Sequence, residues 1–195
     1  MSWSRFAQSS DEHYASVWYE GNDLDYHNMD HIQKCYEYLE SMNVPYDEDL
    51  DYAVLFHDVI YDAKPLKEQR SADFLLDRRP TRTKAAAIIM ATANHIITSD
   101  TDDLSRWMIR ADLHALASTE TALTNYVNIM AESVKLYNVS VTVFAENNMK
   151  FMLQLRNTIV NNMATDPEYA GFWIKVKNGI NFTINLSTKL ADEGK

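Results

Sequence analysis

The chain predicts an all-α fold that closes on a β-hairpin, and three observations carry that expectation. Only 4 Gly and 4 Pro occur in 195 residues, so long uninterrupted elements outnumber turns, which favours helices. Apolar residues recur at three- and four-residue spacing, as in Ile32, Cys35, Tyr36, Leu39 and Met42. Beyond residue 171 the pattern changes. Phe172, Ile174 and Val176, then Ile180, Phe182, Ile184 and Leu186, alternate with period two on either side of Asn178-Gly179. That dipeptide is the favoured centre of a type I′ hairpin turn.

The elements follow in order. A short aromatic-rich helix is expected over 11–19, before the breaker Gly21-Asn22-Asp23. A helix over 28–42 ends at Asn43-Val44-Pro45. The next begins among Asp47 to Asp49, where carboxylates suit a first turn, and runs to about 61. Further helices are expected over 67–78, 84–97, 104–117, 120–137 and 141–163, and the hairpin over 172–186. There is no repeat and no convincing linker, so the expectation is one domain over 1–195, with a core at about 26–163 and a hairpin extension at about 171–187.

Composition narrows the function classes. A net charge of −10 disfavours a nucleic-acid polymer, whose phosphates are met by clustered Lys and Arg. A small phosphorylated ligand stays open, because a bound dication reverses the local field. The single Cys35 cannot form an internal disulfide and reads as a small core residue. The N-terminus has no apolar segment of the secretory type, and the longest apolar run, 85–91, is too short to span a bilayer. A cytoplasmic protein without a membrane partner is the expectation.

The chemistry gathers at Leu55-Phe56-His57-Asp58-Val59-Ile60-Tyr61-Asp62. A His-Asp pair at the end of an apolar run places two costly side chains at a core edge, and a metal cation is the strongest partner for them. Upstream stands Tyr26-His27-Asn28-Met29-Asp30-His31-Ile32; downstream, Arg110-Ala111-Asp112-Leu113 sets another carboxylate among apolar neighbours. His27 and His31, four apart, share a face if both are helical. Singly, His27 could cap a helix, His31 could be a satisfied core histidine, and Asp112 could pair with Arg110 or Lys84.

Taken together, the order His, His-Asp, Asp resembles the HD-domain metal-dependent phosphohydrolases. The resemblance is closest to a small bacterial and phage group with a YHNxxHI…FHDxxYD…DL pattern. The YHNxxH element is also similar to that of the cyclic-nucleotide phosphodiesterases, a distant branch of the same superfamily. The resemblance spans 26–116, about half of the chain, and implies an HD-type helical bundle. It makes His31, His57, Asp58 and Asp112 the ligands of a divalent ion, with Mn, Mg, Fe, Co and Ni all open. His27 would protonate the leaving oxygen, and Asp62 would orient the attacking water or accept its proton. Glu68, a further catalytic candidate, and Ser71 fall where the group shows NExxSA, although Lys67 replaces the Asn. His95 reads as a further metal or phosphate ligand or a helix-end cap, and His114 as structural; His13 has no supporting context. Lys64, Lys67, Arg70 and Arg110 are candidates to hold substrate phosphate, each against the reading of a solvated helix face.

The function this implies is hydrolysis of a phosphate ester or anhydride of a small molecule, a nucleotide first. The alternatives are a phosphodiesterase of a cyclic or signalling nucleotide, and an inactive nucleotide-sensing HD module. The hairpin's apolar face needs a cover, either the helical body or a second copy of the chain, and a homo-oligomer through the hairpin is expected.

Overall fold

Helix starts in this chain are set by short polar side chains that take up otherwise unpartnered backbone N–H groups. The computed structural model describes residues 9–193, and every regular element among them is helical. Ser9 accepts from the Glu12 N–H at the start of α1 (Ser10–Asn22), and Asn28 accepts from Asp30 and His31 at the start of α2 (Met29–Ser41). Asp47 does the same for α3 (Glu48–Phe56) through Asp49 and Leu50. After α4 (Lys67–Arg78) and α5 (Thr83–Ala91), Asp102 accepts from the Leu104 and Ser105 N–H groups as α6 (Asp103–Leu113) begins. A 3₁₀ turn, His114–Ala117, leads into α7 (Thr119–Tyr137), followed by α8 (Val141–Thr165) and α9 (Ala170–Glu193).

The chain gathers into two compact units. One takes the residues up to Asn94 together with Thr101–Asp112; the other takes His95–Asp100 and the chain from Leu113 on. The core of the first unit is Ile32, Cys35, Leu39, Val54, Leu55, Phe56, Leu75, Ile88, Ile89 and Met108 with their neighbours, all buried. Polar cross-links hold its helices in register. The Tyr36 hydroxyl of α2 donates to Asp51 Oδ1 of α3 at 2.7 Å. Asp11 of α1 accepts from Arg78 Nε at 2.7 Å, Arg79 Nη2 at 2.8 Å and the Tyr52 hydroxyl at 3.1 Å. Buried carboxylates need such partners.

Several expected boundaries move. The helix expected to reach 61 stops at Phe56, because His57 caps it and the Ile60 N–H turns to the Ser71 hydroxyl at 3.1 Å. The helix expected over 84–97 stops at Ala91, and His95 adopts a left-handed backbone with φ 56°. The helix expected over 104–117 tightens to 3₁₀ geometry at His114.

The larger correction is the C-terminal hairpin, which is absent: 172–186 lies inside α9, and the described residues contain no strand. The buried positions of α9 are Trp173, Val176, Gly179, Ile180, Thr183, Ser187 and Ala191, which is helical spacing. Ile174 and Phe182, both expected on the hairpin's apolar face, are 45% and 37% exposed. α9 packs chiefly against α8 and the 3₁₀ turn. The Trp173 indole donates to Asp166 at 2.8 Å, and the Ser187 hydroxyl meets Tyr126 and Asn148, each at 3.0 Å. Gly179 lies against the Leu116 carbonyl, where a Cβ would overlap it. With the strands goes the structural argument for a homo-oligomer through a hairpin. No helix among the described residues is long and apolar enough to cross a membrane.

The role of Gly179 gives the first prediction. Alanine gains about 1 kcal/mol of helix propensity over glycine, but overpacking against backbone costs about 1–3 kcal/mol. Gly179→Ala should therefore lower the denaturation midpoint; a midpoint equal to or above wild type would show that this helix face tolerates a side chain.

Candidate metal centre

The site is built on the C-terminal end of α3, where the last carbonyls have no intrahelical donor. Three groups supply one. His57 turns its ring back so that Nδ1–H donates to the Val54 carbonyl at 2.9 Å. The buried Tyr19 hydroxyl of α1 donates to the Leu55 carbonyl at 3.0 Å. The Val59 N–H reaches the Phe56 carbonyl at 3.3 Å. The first bond fixes the His57 tautomer and aims Nε2 inward, as in histidines that bind metals.

Opposite it, the Asn28 cap sets His31 in the first turn of α2, with Nε2 only 3.2 Å from His57 Nε2. Asp58 Oδ2 lies 3.1 Å from His57 Nε2 and 3.7 Å from His31 Nε2. Asp112 Oδ1, from the last turn of α6, lies 3.3 Å from His31 Nε2 and 3.6 Å from His57 Nε2. His31, His57, Asp58 and Asp112 thus form one buried group able to hold a metal ion. Metal-to-nitrogen and metal-to-oxygen bonds of about 2.0–2.2 Å set neighbouring ligands roughly 3–3.6 Å apart; four of the five observed spacings fall in that range, and His31 to Asp58, at 3.7 Å, lies just beyond it. The charges agree with the distances. Asp58 follows the end of α3 and Asp112 stands at the end of α6, where the helix dipole opposes a carboxylate. Both positions call for a cation.

Burial works against an imidazolium at His57, yet the carboxylates of Asp58 and Asp112 outweigh it and push the ring well above its usual pKa. Burial likewise opposes ionisation of Asp58, but His57 and then His27 hold its carboxyl down at about 2. In the metal-free protein the two shifts describe one ion pair, and a metal ion must displace its proton.

Cys35, one turn after His31, is the residue that sequence reasoning placed only in the core. Its Sγ lies 3.9 Å from His31 Nε2 and donates to the Ala111 carbonyl at 3.4 Å. Burial, followed by the charges of Asp112 and Asp58, pushes its thiol pKa well up. Together with the two histidines it forms an overlapping group of possible ligands. The four-residue spacing from His31 was the available signal.

The other expected residues divide. His27 lies outside α2, before its cap, so helical spacing does not place it; its ring centroid is nevertheless 5.9 Å from that of His31. Asp62 is bidentate with Arg70, at 2.5 and 2.9 Å, and also accepts from the Lys64 N–H at 2.8 Å. Chiefly through Arg70, its pKa is held at about 2, which makes it a weak proton acceptor. Arg70 also donates to the Pro65 and Lys64 carbonyls; four of its five N–H donors are therefore engaged within the 62–66 loop. Lys64 is exposed, Glu68 is half-buried in the first turn of α4, and Lys67 lies over the Tyr61 ring at 3.6 Å. Arg110 is buried, with its guanidinium 4.5 Å from the Trp107 ring, rather than on a solvated face. His95 lies in the other compact unit, where its carbonyl accepts from Asn162 at 2.8 Å, and it is not among the grouped residues. Ser71, fully buried, pins the backbone just after the His-Asp pair.

No family model matches the chain, and no curated protein or solved structure matches it either.

The ion pair yields a pH prediction for metal-free protein. The raised pKa of His57 gives stability that is complete below the unfolded value of about 6.5 and lost as pH rises through the folded value. The depressed pKa of Asp58 gives stability present above the unfolded value of about 3.9 and lost as pH falls toward about 2. Their joint contribution peaks between roughly pH 4 and 6.5. Melting curves in chelator should show Asp58→Asn losing most Tm in that window; an equal loss at every pH would contradict the pairing.

Proposed function

We propose that the protein is a metal-dependent phosphohydrolase acting on a small phosphorylated molecule, with nucleotides the leading class. The observation that carries this reading is the convergence of His31, His57, Asp58 and Asp112, with all five nitrogen-to-nitrogen and nitrogen-to-oxygen spacings between 3.1 and 3.7 Å. The resemblance of the same residues to the HD pattern supplies the reaction class. A dication held there supplies Lewis-acid polarisation of a phosphoryl oxygen and a water of lowered pKa.

The chain's own groups do the remainder. His27, beside the ligand group, holds a proton for the leaving oxygen. Lys67 offers a point charge to substrate phosphate. Asp62, paired with Arg70, keeps the loop after the His-Asp pair in place, and Glu68 takes the proton-accepting role. A second reading, a nucleotide sensor without turnover, is favoured by one observation: the carboxylate expected to handle water is engaged by Arg70.

Phosphate release from a nucleotide panel that includes cyclic nucleotides, with Mn and Mg varied, separates these readings. Asp58→Ala should abolish both metal content and turnover while far-ultraviolet circular dichroism stays helical; full turnover without metal would refute the mechanism. His27→Ala should keep its metal and lose roughly 10²–10⁴-fold in kcat, the usual share of general acid–base catalysis. Unchanged kcat would assign His27 to packing, and metal-dependent nucleotide binding without product would favour the sensor.

A further inference from the structure

We infer that Tyr61 is a positioning residue whose ring holds the His27 imidazole against the metal-ligand group. The inference rests on the proposed acid role of His27 for its catalytic consequence, but not for its geometry. The His27 and Tyr61 rings are stacked, with centroids 3.7 Å apart and planes 16° from parallel. The Lys67 ammonium lies 3.6 Å from the same Tyr61 centroid. Two groups so close to one ring centre cannot share a face, so Lys67 and His27 lie on opposite sides of the phenol. A cation over an aromatic face is an attractive contact, and here it closes the side through which Tyr61 would swing away from His27.

His27 precedes the cap of α2 and so lies outside that helix. The backbone under Tyr61, by contrast, is tied on both sides. Ser71 accepts from the Ile60 N–H, and Arg70 grips the Asp62 carboxylate and the Lys64 and Pro65 carbonyls. Leu66, the next residue, is left-handed at φ 60°, a conformation unfavourable for a leucine and kept only where surroundings enforce it. Both ties come from α4, and so does Lys67. The helix after the His-Asp pair therefore sets Tyr61, and Tyr61 sets His27.

The experiment is proton NMR of the His27 ring in the full-length chain, in wild type, Tyr61→Phe and Tyr61→Leu. In wild type and Tyr61→Phe the ring protons should be shifted upfield by the stacked neighbour, and Tyr61→Leu should lose that shift while metal content is unchanged. With Co(II) added, the paramagnetic shift of the same protons should survive in Tyr61→Phe and collapse in Tyr61→Leu. An upfield or paramagnetic shift that persists in Tyr61→Leu overturns the proposal. In turnover, Tyr61→Leu should lower kcat by about 10²-fold, the cost of displacing a reacting group by an ångström, with KM little changed and Tyr61→Phe restoring the rate. Wild-type kcat in Tyr61→Leu overturns the catalytic consequence. If wild type releases no phosphate but the shifts behave as expected, the positioning stands and the phosphohydrolase reading falls.

Discussion

Two imidazole nitrogens that face each other at 3.2 Å between two carboxylates are the constraint on which the first unit depends. Nothing in apolar packing explains it. Buried carboxylates at the ends of two helices oppose the helix dipoles, and inward lone pairs repel one another unless a proton or a metal ion lies between them. The surrounding core, from Ile32 and Leu39 to Phe56 and Met108, has to be stable enough to hold that arrangement.

The end of α3 shows how it is held. Each of its last carbonyls has a donor from a different part of the chain: the His57 ring, the Tyr19 hydroxyl and the Val59 amide. Tyr19 belongs to α1, so a helix that contributes none of the grouped residues still supports the turn that carries His57 and Asp58. Ser71 and Arg70 tie down the segment that follows. Stability and chemistry meet in these bonds, since the same donors that end the helix also aim His57 Nε2 and set Asp58.

Much of the candidate ligand group was legible because its residue types are costly where they stand. His57-Asp58 after Ala53-Val54-Leu55-Phe56, and Asp112 among Met108, Ile109 and Leu113, are polar groups in apolar runs, which sequence pattern registers. Roles decided by partners were not legible. Sequence pattern assigns Asp62 to the attacking water and Arg70 to substrate phosphate, yet the two face each other; eight residues apart across a loop, they carry no periodic signal. Cys35 was read as core, and it is buried, but its approach to His31 depends on ring direction, which spacing does not specify.

The C-terminal segment separates what sequence determined from what tertiary structure decided. By itself the sequence determined the helical character of the chain as far as residue 163, the helix starts near Asn28 and among Asp47 to Asp49, and the order of the candidate ligands, because these follow from residue type and period. In 172–186 it carried two compatible patterns. Phe172, Ile174, Val176, Ile180, Phe182 and Ile184 alternate as strands do, while Trp173, Val176, Gly179, Ile180, Thr183 and Ser187 recur as a helix does. An Asn-Gly pair favours a turn only when two paired strands repay it. Here the Leu116 carbonyl approaches where only glycine fits, and Tyr126, Asn148 and Asp166 supply partners for Ser187 and Trp173. Of these, the contacts to Leu116, Tyr126 and Asn148 come from residues distant in sequence, so packing within the second unit, not local propensity, selected the helix.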